Sequence, residues 1–141
     1  MSKLLGMSFD AVASPEITLL YTRQERMERD RPFGWGVAWY ASSDRAATVV
    51  KDPGATSDSA STRLLRDWTR FRSATFICHL RGAAARVSQE NTHPFSRSHA
   101  GRDWVLTHHG QLRPGFKTAL GLGDRPAFAP VGLTDSEHLL C

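Results

Sequence analysis

The runs of apolar residues along the chain predict strands more often than helices. Lys3-Leu4-Leu5-Gly6-Met7 is a short apolar segment that reads as a buried strand ended by a turn. Gly34-Trp35-Gly36-Val37-Ala38-Trp39-Tyr40 is aromatic and β-branched, and reads as a strand entered through a glycine turn. Ser42-Ser43-Asp44 supplies a hairpin loop and Ala46 to Val50 the partner strand, after which Pro53 to Ser59 reads as loop. Thr75 to Leu80 and Trp104 to Thr107 are further runs of strand type, the first followed directly by Arg81 and the second by His108-His109-Gly110.

Helical signals are fewer. Ser14-Pro15-Glu16 places a serine at the cap and a proline at the first helical position. Between Ser61 and Arg72, the residues Leu64, Leu65, Trp68 and Phe71 fall on one stripe of a helix. Leu112 to Pro130 reads mostly as loop with one helical turn. Thr134-Asp135-Ser136-Glu137 opens a last helix, with Thr134 or Asp135 as cap and acids in the first turn. The sequence stops at Cys141, short of the roughly 11–12 residues of a mean helix. It is therefore expected to be the front part of a longer domain. Strands that do not alternate regularly with helices predict an α+β fold, and there is no internal repeat.

Composition narrows the class. At 141 residues the chain suits one domain, and 40% hydrophobic with 23% charged residues is a globular balance that excludes a disordered or coiled-coil protein. No apolar run approaches a membrane span, and Met1 to Met7 lacks a signal peptide's apolar stretch. A soluble, cytoplasmic protein is expected, with no membrane partner. The net charge of +4 comes from arginines interleaved with acids, as in Arg23-Gln24-Glu25-Arg26-Met27-Glu28-Arg29-Asp30. That is a solvated face, so nucleic acid is not the expected partner. Cys78 and Cys141 make no disulfide framework, and the six histidines match no zinc spacing, so neither metal nor cofactor is expected.

Six short pieces change the picture when taken in order: Ser2 to Met7, Pro32 to Tyr40, His79-Leu80-Arg81, Asn91-Thr92-His93-Pro94-Phe95, His108-His109-Gly110-Gln111-Leu112, and Thr134 to His138. Together they resemble the class II glutamine amidotransferases, N-terminal nucleophile hydrolases, and above all the small stand-alone members.

The resemblance implies a four-layer αββα sandwich, here a single domain over residues 2–141 that is incomplete at its C-terminus. It implies that Met1 is removed and that Ser2 attacks the side-chain amide of glutamine, or of a related γ-glutamyl compound, with its own α-amine as base. An α-amine has a pKa of about 7.7–8.0, so part of it is neutral near pH 7, unlike a lysine. Arg81 would take the substrate α-carboxylate through its planar fork, unless it is a plain surface arginine. Asp135 would take the α-amine, a role that can coexist with capping a helix. Asn91 to Phe95 would lie beside the substrate, with His93 either a substrate contact or a core histidine. Gly34-Trp35-Gly36 would be a loop against the N-terminal residue, or simply a turn into a strand. Gly110 would give its N–H to the oxyanion hole beside His109, or serve as a turn glycine.

Four positions depart from the family pattern. Ser2 stands for the usual cysteine, His109 for asparagine, Ala84 for threonine and Phe33 for aspartate. A Cys→Ser replacement made to trap substrate would also leave a serine at residue 2, but the other three departures favour a divergent homologue. Serine has essentially no alkoxide at neutral pH and depends wholly on its base. Two functions therefore stand side by side: a glutamine-hydrolysing protein of reduced or lost activity, and an inactive relative that keeps the pocket as a γ-glutamyl ligand-binding or partner-binding module. A sheet edge left uncovered would favour an oligomer.

Overall fold

The computed structural model describes residues 2–15, 33–41, 44–55, 60, 61, 63, 71–81 and 88–141. Strands β1 (Lys3–Ala13), β2 (Phe33–Tyr40), β3 (Ala47–Ala55) and β4 (Ser73–Arg81) form one antiparallel sheet in the order β1-β4-β2-β3. A second sheet is the hairpin of β5 (Phe95–His99) and β6 (Arg102–Leu106). A 3-10 turn at Gln89–Asn91 precedes β5, and the helices α1 (Phe116–Ala119) and α2 (Asp135–Leu140) follow β6. The fold is α+β with antiparallel sheets, as the pattern predicts.

Strand β2 explains how the large sheet works. Its residues alternate large and small, and neighbours along a strand point to opposite faces. Trp35, Val37 and Trp39 point to one face, where they join Phe76 and Leu80 of β4 in the buried core. Phe71 packs edge-on against Trp39, with ring centroids 4.7 Å apart, and Met7, Val50 and Cys78 complete this layer. Gly34, Gly36 and Ala38 point to the other face. Gly36 pairs with His79 of β4 and Lys51 of β3, so these side chains form a row there. The segment Thr92–Phe95 lies on this face, and the glycines are what let it approach. A Cβ on Gly36 would lie 2.6 Å from Pro94 Cδ and would also collide with the His93 carbonyl. A Cβ on Gly34 would meet Arg81 Cβ at 3.5 Å and Thr92 Oγ1 at 3.6 Å.

Several elements differ from the sequence expectation. The first strand is not a short buried segment but runs eleven residues and is mostly exposed. It is the outer strand of the sheet, paired only with β4 among the described residues, so Leu4, Leu5, Phe9 and Val12 are 36–46% exposed. Strand β3 runs on through Pro53, where a loop is expected. It is the opposite edge, and the register jumps between Phe33↔Ala55 and Trp35↔Asp52, so Pro53 sits in a bulge that asks no ladder hydrogen bond of it. The predicted Gly34 turn is already strand, separated from β1 by β4. The β5–β6 hairpin was not expected in full. It closes through Ala100 and Gly101, both at positive φ (53° and 74°), the geometry of a tight two-residue turn. From Glu16 onward the helix expected after Ser14 and Pro15 lies outside the described residues, as does most of the one expected from Ser61 to Arg72; Ser14 donates to the carbonyl of Phe71 at 2.9 Å.

Asp103 joins the two sheets. Its N–H donates to the Arg45 carbonyl at 2.8 Å, its Oδ2 accepts from the Ala47 amide at 2.9 Å, and its carbonyl accepts from the Tyr40 hydroxyl at 2.7 Å. Among the described residues no helix is long and apolar enough to cross a membrane.

Candidate active site

A cleft of about 790 Å³ is lined by Arg81 at the end of β4, by Asn91, by the stretch from Gly110 to Lys117, and by Leu133, Thr134 and Asp135. Its size is that of a small-molecule site. Three of the residues singled out from sequence, Arg81, Gly110 and Asp135, thus come together from three separate segments.

Arg81 ends β4 on the face that carries the Thr92–Phe95 segment, opposite Gly34. Its Nη1 donates to the carbonyl of Asn91. A guanidinium has five N–H donors, and a bidentate grip on a carboxylate takes two, so this anchor leaves the fork competent.

Asp135 opens α2, but it is not the cap. Thr134 is: its side chain accepts from the Glu137 amide at 3.1 Å. Asp135 instead reaches back across the cleft wall. Its Oδ2 accepts from the Leu112 amide at 2.6 Å and its Oδ1 from the Ser136 hydroxyl at 3.2 Å. Burial opposes ionisation of this carboxyl. The Leu112 amide, the Ser136 hydroxyl and amide and nearby His108 outweigh it and hold the pKa below the usual aspartate range. Asp135 is therefore an anion at neutral pH, suited to an ammonium group.

Gly110 has φ of +143°, a conformation side chains rarely adopt, and a Cβ there would also press on His108 at 3.3 Å. The residue is thus fixed as glycine by its backbone. His108 and His109 lie beyond the end of β6. His108 Nδ1 is 3.0 Å from Ser136 Oγ, which links it through Ser136 to Asp135. His109 is exposed. Ser2 precedes Lys3, whose partner is Leu80, so the chain's start lies at the same end of the sheet as Arg81.

His93 is placed differently. It is 7% exposed and does not line the cleft. Its ring packs 4.4 Å from that of His79 and 4.6 Å from that of Phe95. Burial, with Arg81 and the neighbouring histidines adding to it, pushes His93 down to about 3 and His79 to about 4, so both are neutral near pH 7.

Sequence reading missed two residues that hold the site. Glu137 is 3% exposed. It pairs with Arg97 at 2.7 Å and accepts from the amides of Val131 and Gly132 at 3.1 and 2.7 Å, which folds the segment leading to Asp135. Its acidic position in a first helical turn looks like ordinary dipole matching, so nothing local marks it. Lys51 is the other, donating to the Thr92 carbonyl at 3.0 Å.

The family model for class II glutamine amidotransferases matches residues 1–141. The chain belongs to this family. An Escherichia coli protein whose name includes "glutamine amidotransferase" (YafJ) is 38% identical over 77% of the chain and 40% of its own length. A Haemophilus influenzae protein with the same words in its name is 33% identical over the whole chain and 46% of its own length. An uncharacterised protein of Methanocaldococcus jannaschii is 33% identical over the whole chain and 37% of its own length. The chain thus spans less than half the length of each of these relatives. No solved structure gives a significant match. For a class II glutamine amidotransferase, the geometry above puts a cationic fork and an anionic carboxylate on the walls of one cleft.

Proposed function

We propose that the protein binds L-glutamine or another γ-glutamyl amide between Arg81 and Asp135 and hydrolyses it to glutamate and ammonia or an amine. The observation that carries this reading is the convergence of Arg81, Gly110 and Asp135 on one cleft of about 790 Å³. A cation and an anion lining one cleft match the two charges that every α-amino acid carries on one carbon. In this reading, these residues sit in a four-layer αββα sandwich.

The chemistry follows from residue 2. With Met1 removed, the Ser2 hydroxyl adds to the amide carbon while its α-amine accepts the hydroxyl proton. Collapse of the tetrahedral intermediate breaks the C–N bond and hands that proton to the leaving nitrogen. Water then cleaves the resulting ester by the same route in reverse, releasing glutamate. The Gly110 N–H and the His109 ring would carry the oxyanion. A missing donor there typically costs about 2.7–4 kcal/mol, and exchange of asparagine for the bulkier His109 puts slow turnover on the reading.

A second reading, binding without turnover, is favoured by one specific contrast: Arg81 and Asp135 match the family while Ser2 and His109 do not. Glutamate release from L-glutamine by the chain and by Ser2→Cys, side by side, separates the two. Release by Ser2→Cys shows a competent pocket. No release by either, together with a rise in melting temperature on adding glutamine, supports the binding module. No release and no thermal shift overturn both.

A further inference from the structure

We propose that Asn91 is a positioning residue that sets the spacing between Arg81 and Asp135; its role toward substrate rests on the γ-glutamyl reading above. Asn91 is 5% exposed. Its backbone carbonyl accepts from Arg81 Nη1. Its side-chain Oδ1 accepts from the Leu133 amide at 2.8 Å, and its Nδ2 donates to Ser88 Oγ at 2.7 Å. One residue thus holds the guanidinium with its main chain and, with its side chain, the segment that ends in Thr134 and Asp135.

The fit is close. A Cβ on Gly132 would lie 2.7 Å from Asn91 Oδ1 and 2.5 Å from the Glu90 carbonyl, so Gly132 lets the two segments meet. Glu137 binds Val131 and Gly132 from within the same segment and shapes it. Asn91, by contrast, ties that segment to the β4 side of the cleft. The α-carboxylate and α-amine of an amino acid share one carbon, so their receptors must hold a fixed separation. A displacement of about 1 Å can cost roughly a hundredfold.

The test compares the full chain with Asn91→Ala and Asn91→Asp. In Asn91→Asp the carboxylate can still accept from the Leu133 amide, and the Ser88 hydroxyl can turn to donate to it. Amide hydrogen exchange is followed at Leu133 and at Leu112, whose N–H is held by Asp135, with the β5–β6 hairpin as internal reference. L-glutamine affinity is measured by calorimetry on the same samples. In Asn91→Ala, exchange at both Leu133 and Leu112 should quicken about tenfold relative to the hairpin, and Asn91→Asp should restore it. Faster exchange at Leu133 with Leu112 unchanged overturns the proposal, because the disturbance then stops short of Asp135. If Asn91→Ala does not fold, Asn91→Ser, whose hydroxyl is one bond closer to the backbone, makes the same comparison. Where the parent binds L-glutamine, the dissociation constant should rise at least tenfold in Asn91→Ala and recover in Asn91→Asp. A parent that binds no L-glutamine overturns the γ-glutamyl reading alone, and the exchange at Leu112 still decides the role of Asn91.

Discussion

Gly36 and His93 meet so closely that no side chain fits between them: a Cβ at residue 36 would strike the His93 carbonyl and lie 2.6 Å from Pro94 Cδ. This contact seats the segment from Asn91 to Phe95 on the sheet. Lys51 and Arg81 grip the same segment from β3 and β4 through the carbonyls of Thr92 and Asn91. The glycine on β2 is therefore a foundation of the cleft even though it lines none of it.

Gly36→Ala should destabilise the protein by about 1–3 kcal/mol, the usual cost of overpacking a tight site. Gly6 is the control, since a Cβ there meets nothing within 4 Å. Urea denaturation should show a lowered midpoint for Gly36→Ala and a near-unchanged one for Gly6→Ala. Equal midpoints would mean the contact is not closely packed.

Arg81→Ala should abolish measurable L-glutamine binding and any glutaminase activity. Truncating one partner of a buried, charge-assisted pair costs about 2–5 kcal/mol, which is roughly thirtyfold or more in affinity. Arg81→Lys should fall between the parent and Arg81→Ala, because an ammonium cannot reproduce the planar fork. Calorimetric titration with L-glutamine reads all three, and unchanged affinity in Arg81→Ala would show that the cleft is not the ligand site.

Glu137→Ala should cost about 3 kcal/mol, toward the lower end for breaking a buried pair, because Arg97 is partly exposed. Two backbone amides also lose their acceptor. Burial works against the Glu137 charge, but Arg97 and these amides hold its pKa below the ordinary glutamate value. A depressed carboxylate contributes stability that is present above the unfolded value, about 4.3, and is lost as pH falls through the folded one. Melting curves below pH 4.5 should therefore fall less steeply in Glu137→Gln than in the parent, from a lower starting point; parallel curves would count against the pairing.

Much of this architecture is written locally. The large–small alternation of Trp35, Val37 and Trp39 against Gly34, Gly36 and Ala38 states both faces of β2, and the apolar run before Arg81 gives β4 its end. Asp135 and Thr134 were legible as a helix start, though only the structure assigns the cap to Thr134 and frees Asp135 to hold Leu112. What stayed hidden depends on partners distant in sequence. The exposure of β1 follows from its edge position, and the strand character of Pro53 from a bulge opposite Phe33 and Trp35. The roles of Asn91 and Glu137 arise from bonds to residues 131–133, which no local pattern announces.

The His79–His93 pair makes one more prediction, opposite in origin to that of Glu137. Both rings are buried, and His79 Nδ1 and both ring nitrogens of His93 have no hydrogen-bond partner among the described residues. Burial first, then His109 for His79 and His79 for His93, with Arg81 and His108 for both, lowers the two to about 4 and about 3. The unfolded chain takes up these protons near pH 6.5 while the folded chain refuses them, so stability is full above that value. It should fall as pH drops from about 6.5 toward 4 and level off once the folded rings also protonate. His93→Phe keeps an aromatic ring against Phe95 and removes one of the two proton sites. Chemical denaturation at steps between pH 4.5 and 7.5 should give a shallower slope for His93→Phe than for the parent. An identical slope would show that His93 takes up its proton in the folded chain as readily as in the unfolded one, and that burial does not hold it neutral.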